Sequence, residues 1–119
     1  MATINQAMQE LLTCDGAVRA ALVDSSSGMI LGEIGSGVDM EVAAAGNTEV
    51  VRAKLKTMHA LGLSDVVEDI LITLGKQYHI IRPMARKEGL FIYLVLDKSK
   101  SNLALARRKV QEVEKDLVV

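Results

Sequence analysis

Two segments that are apolar on both faces constrain the fold of this chain more than any other feature. Leu90–Leu96 (LFIYLVL) is apolar throughout, and Ala17–Asp24 (AVRAALVD) is apolar over most of its length. Strands that are apolar on both faces lie in the interior of a sheet that is covered on both sides. The two segments therefore predict a sheet between two layers of helices.

Three further segments have the length, composition and flanking turn residues of strands: Met29–Ile34, Val66–Leu74 and Gln77–Arg82. Short turns join consecutive strands within each group, at 25–28, 75–76 and 87–89. Because such connections make hairpins, the five strands are predicted to form an antiparallel sheet. Pro83 limits pairing at the end of its strand, because proline has no amide hydrogen to donate.

The rest of the chain has the three- and four-residue periodicity of helices. Thr3 and Gln6 have the spacing of a capping box at the start of the first helix. Asp39 is the expected N-cap of a long helix, Met40–Leu61. Ser101 is the expected cap of a last helix, whose apolar side chains form one stripe: Leu103, Ala106, Val110, Val113 and Leu117.

The predicted order of elements is α-β-β-α-β-β-β-α, in a single domain that spans residues 1–119. A sheet that is buried on both faces needs helices on both of them. The expected fold class is therefore α/β (α+β), as a three-layer α/β/α sandwich with a five-stranded antiparallel sheet. We expect two helices on one face and the long helix on the other.

The long helix has more apolar surface than a helix on one sheet requires. Such a helix needs an apolar stripe only a little wider than about 100°, whereas more than half of this circumference is apolar or small. We expect a bulky stripe to face the sheet and a lean stripe to face another protein surface. The alternative, in which one subunit covers both stripes, stays open. The bulky stripe is Val51, Leu55 and Met58, and the lean stripe is Val42, Gly46, Val50, Ala53, Thr57 and Ala60.

Charge and composition exclude several classes of partner. The chain has 14 basic and 15 acidic side chains, one Phe, two Tyr and no Trp. Balanced charge and few aromatic rings argue against a nucleic-acid interface. No apolar run approaches the ~18 residues of a membrane span, so direct membrane insertion is not expected. A single cysteine, Cys14, and a start without a signal-peptide pattern predict a cytoplasmic protein.

No motif predicts catalysis or a bound cofactor or metal. Gly35–Gly37 lacks the third glycine of a dinucleotide-binding loop, and Gly75–Lys76 lacks the rest of a phosphate-binding loop. His59 and His79 have no partner at metal-ligand spacing, and we expect them solvated or hydrogen-bonded at the surface. We assign no catalytic residue and expect a protein that is not an enzyme. Five arginines are candidates for an arginine finger, although solvated charge is the favoured interpretation: Arg52, Arg82, Arg86, Arg107 and Arg108.

Four segments, in their order and spacing, carry a resemblance to a known family: Ala21–Gly28, Ala43–Ala45, Tyr78–Pro83 and Asn102–Arg107. The chain resembles the roadblock/dynein light chain family, in its bacterial, MglB-like form, over nearly its whole length. The resemblance implies a homodimer in which the long helix packs against its twin and the third strand pairs with its twin. It also implies a protein-interaction module that binds and regulates a Ras-like small GTPase, by activating GTP hydrolysis or by scaffolding.

Under this resemblance, the lean stripe and the third strand form the dimer interface: Val42, Gly46, Val50, Ala53, Thr57, Asp69 and Leu71. The charged face of the long helix provides the candidate GTPase contacts: Glu49, Arg52 and Lys56. The alternative function is a small-ligand-sensing regulatory domain. It would need a concave pocket with converging polar groups, and we expect few polar side chains to point inward.

Overall fold

The computed structural model describes residues 1–85 and 87–119, so Arg86 lies outside the described residues. The elements follow in the predicted order: α1 (Ile4–Leu12), β1 (Ala17–Asp24), β2 (Met29–Gly35), α2 (Met40–Ala60), β3 (Ile70–Thr73), β4 (Gln77–Pro83), β5 (Leu90–Asp97) and α3 (Leu103–Asp116). The strands form one sheet in the order β2-β1-β5-β4-β3, with every neighbouring pair antiparallel. The predicted five-stranded antiparallel sheet is therefore confirmed.

The sheet separates two hydrophobic cores. On one face Leu22 and Leu94 pack with residues of α1 and α3, and on the other Val23 and Tyr93 pack with residues of α2. All of β5 from Phe91 to Leu96 is buried, as expected for a strand covered on both faces. The three-layer sandwich, with two helices on one face and the long helix on the other, is confirmed.

Local hydrogen bonds explain where the helices begin. Thr3 and Gln6 form the predicted capping box, with the Gln6 amide donating to the Thr3 hydroxyl at 3.2 Å. The Asp39 carboxylate caps α2 as predicted. The expectation that Ser101 caps α3 is wrong by one residue. The Asn102 side chain is the cap, because its oxygen accepts the amide of Leu105 at 3.1 Å.

Strand β3 is shorter than predicted, because it begins at Ile70 rather than at Val66. Side chains from other elements hold the residues that precede it. Arg107 of α3 forms a two-point ion pair with Asp69, at 2.7 and 3.2 Å, and Arg82 of β4 donates to the Glu68 carbonyl at 2.9 Å. These long-range contacts hold Glu68 and Asp69 just before the strand, which hydrophobic alternation alone does not reveal.

A buried carboxylate joins α3 to the end of β4. Glu114 is only 4% exposed, and its side chain accepts hydrogen bonds from the Arg82 guanidinium and from the Ala85 amide, the latter at 2.9 Å. A buried charge without partners is strongly destabilising. Both oxygens of this carboxylate have a donor, so the contact holds α3 against the sheet.

Replacing Glu114 with alanine should lower the free energy of unfolding by about 3–5 kcal/mol, because it leaves Arg82 without its buried partner. Urea denaturation measures the effect. Glu112→Ala is the matched control, since Glu112 is exposed on the same helix, and it should change the free energy by less than about 0.5 kcal/mol. Equal stabilities of the two variants would contradict the structural role given to Glu114.

Candidate functional site

The two faces of the sheet are covered unequally. Helices α1 and α3 share one face, whereas α2 lies alone on the other. Five strands about 4.8 Å apart form a sheet roughly 20 Å wide, while a helix with its side chains is about 10–12 Å across. Helix α2 lies closest to β1 and β2, so it covers about half of its face. On the other half, Ile70, Ile72 and His79 stay partly exposed.

The lean stripe of α2 is mostly exposed. Val42 is 69% exposed, and Ala53 and Thr57 are exposed too. A Cβ atom built on Gly46 would have no neighbour within 4 Å, so the helix backbone is open to close approach at this point. Val50 differs, because it is partly buried against the α2 core. The stripe therefore presents small side chains and bare backbone to whatever lies beside the helix.

The bulky stripe was predicted correctly at two of its three positions. Val51 and Met58 are buried, but Leu55 is 46% exposed, so its expected contact with the sheet is wrong. The helical wheel assumes a sheet beneath every turn, and α2 lies closest to only two of the five strands. Ala44 and Thr48 fill the buried line instead, with the Thr48 hydroxyl donating to the Ala44 carbonyl at 2.7 Å.

Exposed apolar side chains continue beyond α2 to the edge of the sheet. Leu61, Leu63 and Val66 follow the helix, and all three are more than half exposed. Next comes β3, an edge strand that pairs with β4 on one side and, within residues 1–85 and 87–119, with no strand on the other, so this side is a free edge. Leu71, on β3, is also exposed. Sequence reasoning did not identify this apolar surface, because it placed Leu61 at the end of the long helix and Val66 at the start of the third strand.

Asp69 was expected within the third strand, at the dimer interface, but the structure places it elsewhere. It precedes β3 rather than lying in the strand, and its carboxylate is held by Arg107 of the same chain. The hydrogen bonds that the Asp69 carboxylate accepts from Arg107 raise the pKa of the Arg107 guanidinium. The Asp69 side chain thus fixes the start of the edge strand, and Leu71 is the expected interface residue that lies on the strand itself.

Glu49, Arg52 and Lys56 form a charged row on α2, and they differ in their contacts with the rest of the chain. The Arg52 guanidinium donates to the Ser26 carbonyl at 2.7 Å and so ties α2 to the β1–β2 turn. Hydrogen bonds from Ser26 hold the pKa of the Asp24 carboxyl in that turn below its usual value. Glu49 and Lys56 are exposed on the same row. Of the three expected GTPase contacts, Glu49 and Lys56 have their charges in solvent, whereas Arg52 also stabilises the fold through its bond to the turn.

Two of the other arginines considered as arginine fingers also have partners within the chain. Arg82 contacts Glu114 and the Glu68 carbonyl, and Arg107 contacts Asp69. Arg108 is exposed on α3. The geometry of Arg82 and Arg107 is that of side chains that support the fold.

A chain of polar side chains crosses the α2 core. The Tyr93 hydroxyl lies 3.1 Å from Nδ1 of His79, and Nε2 of His79 lies 2.9 Å from the Gln77 side-chain oxygen. Asn47 of α2 hydrogen-bonds to the same hydroxyl. Burial lowers the pKa of His79 and raises the pKa of Tyr93. Strand alternation placed His79 at a surface but could not reveal the register that brings it to Tyr93.

A groove of about 530 Å³ lies on the opposite side of the molecule, between α1 and α3. Glu10 and Lys109 form an ion pair in its lining, at 2.7 Å, and Gln6 and Glu112 add polar groups. Nearby, burial raises the pKa of the Cys14 thiol, which disfavours the reactive thiolate. The groove is one of several concave features of the surface that a small-ligand alternative would use.

Residues 1–85 and 87–119 contain neither a cluster of metal-ligating side chains nor a membrane-spanning helix. No group of three or more His, Cys, Asp or Glu side chains is placed to hold a metal ion within these ranges. No helix among the described residues combines the length and apolar character that a membrane span requires.

No family model matches the sequence, and no curated protein matches it. Solved structures do match. The Roadblock/LC7 domain from Streptomyces avermitilis is 13% identical and has a TM-score of 0.82, covering 96% of this chain and 93% of that chain. MglB from Myxococcus xanthus is 17% identical and has a TM-score of 0.82, covering 94% of this chain and 89% of that chain.

The gliding protein MglB from Thermus thermophilus is similar to the same extent. It is 15% identical and has a TM-score of 0.81, covering 94% of this chain and 83% of that chain. Since these identities are low, the likeness concerns the fold, and it extends over almost the whole chain. The resemblance noted in the sequence is confirmed at that level: this chain has the Roadblock/LC7 fold.

Proposed function

We propose that the protein is a homodimeric interaction module that binds and regulates a Ras-like small GTPase. The observation that carries the proposal is the exposed lean stripe of α2 together with the free edge of β3. Both features lie on the incompletely covered side of the sheet. Exposed apolar surface of this extent is typical of a protein–protein interface.

A second copy of the chain is the partner that suits this surface best. Pairing of β3 with its twin would satisfy the free backbone groups at that edge. A two-fold axis at this edge would bring both α2 helices to the same side of a continuous sheet. The lean stripes would then meet, and Gly46 and Ala53 would allow close contact between the helices.

The charged row of α2 supports the second part of the proposal. Burying the lean stripe would leave Glu49 and Lys56 at the surface of the dimer, beside Arg52 and the β1–β2 turn. A GTPase partner is what the roadblock resemblance implies, and the Roadblock/LC7 fold is consistent with it. We assign the module a regulatory rather than an enzymatic role, and we place it in the cytoplasm, where small GTPases act and where a lone thiol stays reduced.

Replacing Ala53 with glutamate should abolish the dimer, because it places two unpaired charges in an apolar interface. We expect a loss of about 3 kcal/mol or more of association free energy. The fold of the single chain should persist, since Ala53 is exposed. Light scattering at several concentrations measures the mass. Lys56→Glu is the matched control on the charged row, and it should remain dimeric. A dimeric A53E variant would show that another face of α2 forms the interface.

Partner binding is tested with the Ras-like GTPase encoded nearest to this chain, loaded with GDP or with a non-hydrolysable GTP analogue. The two proteins should co-elute in one nucleotide state and separate in the other. Lys56→Glu should weaken the complex by about tenfold, as expected for one charged contact at an interface. Absence of a complex in both nucleotide states would refute the GTPase part of the proposal and leave the dimer unaffected.

A further inference from the structure

Asn47, Tyr93, His79 and Gln77 form a polar chain between α2 and the sheet, and the donor and acceptor of each hydrogen bond in it can be assigned. The Gln77 oxygen is an acceptor, so Nε2 of His79 carries the proton and Nδ1 presents its lone pair. Tyr93 therefore donates its hydroxyl proton to Nδ1. The single hydroxyl proton of Tyr93 is used in this bond, so the Tyr93 oxygen accepts its hydrogen bond from the Asn47 side-chain amide. The bond from Tyr93 to Nδ1 therefore requires a neutral His79, whereas the bond from Nε2 to Gln77 persists in the protonated ring.

A proton on Nδ1 of His79 would break this arrangement. The nitrogen would become a donor, and the Tyr93 hydroxyl would lose its acceptor. Tyr93 is only 1% exposed, so water cannot readily replace that acceptor. To restore the bond, Asn47 would have to turn its amide and offer its oxygen instead. Protonation at the sheet would therefore reorient a side chain on α2.

Asn47 connects this chain to the proposed interface. It follows Gly46 and precedes Val50 by one helical turn, and both of these belong to the lean stripe. His79 lies on the incompletely covered half of the sheet, directly beside Ile72 of the edge strand. The ring is partly exposed in the single chain. A second copy seated on this face would exclude the remaining water from the ring and make the protonated form less favourable still.

We propose that self-association of this protein is linked to a proton on His79, such that the dimer forms with the neutral ring and protonation favours the separate chains. The proposal rests on the homodimer proposed above and adds its regulation. It assigns the Asn47–Tyr93–His79–Gln77 chain as the part of the interface that senses the proton.

The pKa of His79 is determined by burial rather than by a neighbouring charge. Its neighbours in the sheet are Ile72 on β3 and Val95 on β5, and both are apolar. Tyr93 is the titratable group in contact with the ring, and α2 contributes the uncharged Asn47. Burial is the cause that lowers the pKa of His79, and no charged side chain contributes among the described residues. Because burial disfavours the charged ring, more burial in a dimer shifts the pKa further in the same direction.

The sign of the pH dependence follows. The dimer binds fewer protons than two separate chains, so acid favours dissociation. Between about pH 7.5 and pH 5 the dissociation constant of the dimer should rise, by about fourfold at the pH where His79 is half protonated in the separate chains, since two rings titrate per dimer. That pH lies below the ordinary value of about 6.5, because burial lowers the pKa of His79. Sedimentation equilibrium measures this constant at each pH. The chain has two histidines, so His59→Asn, on the exposed end of α2, is the matched control and should keep the full pH dependence.

His79→Gln should remain dimeric with little pH dependence over this range, because glutamine does not titrate. A second measurement does not require that this variant folds. NMR titration of the His79 ring should give a lower pKa in the wild-type dimer than in the A53E chain. An equal pKa in both, or a wild-type dimer of unchanged affinity across the range, would overturn the proton linkage alone. A wild-type chain that is monomeric at every pH would overturn the homodimer itself.

Discussion

A five-stranded sheet that is apolar on both faces needs about two helices on each face, and this chain supplies three. Helices α1 and α3 complete one face, whereas α2 covers about half of the other. The remaining half ends at β3, a short strand with a free edge. A free strand edge and an incompletely covered apolar face both favour association with a partner. Both features lie on the same side of this molecule.

Polar contacts keep that open side in a defined shape. Asp69 and the Glu68 carbonyl are held by arginines from α3 and β4, so the start of β3 is fixed before any partner arrives. Arg52 ties the charged row of α2 to the β1–β2 turn. These contacts lie around the apolar surface rather than within it. An interface that is largely formed in advance loses less conformational entropy on binding.

Most of the fold could be predicted because the signals are local. Alternation, turn residues and the Thr3 and Asp39 caps define elements from neighbouring residues, and their order implies the layers. Apart from the cap of α3, which was expected one residue too early, the errors concern long-range contacts. Asp69 pairs with Arg107 and precedes β3, and Leu55 was expected to face the sheet but is exposed. The candidate interface followed from the excess apolar surface of α2, while the His79–Tyr93 contact depends on a register that no short pattern encodes.

The central claim is that a second copy of the chain covers the lean stripe of α2 and the edge of β3. Hydrogen–deuterium exchange as a function of protein concentration tests it directly. Amides of β3 and of α2 around Gly46 should gain protection as the concentration rises, whereas β2, the other edge strand of the sheet, should exchange at a constant rate. Exchange in β3 that does not depend on concentration, or protection that appears at β2 instead, would contradict the account.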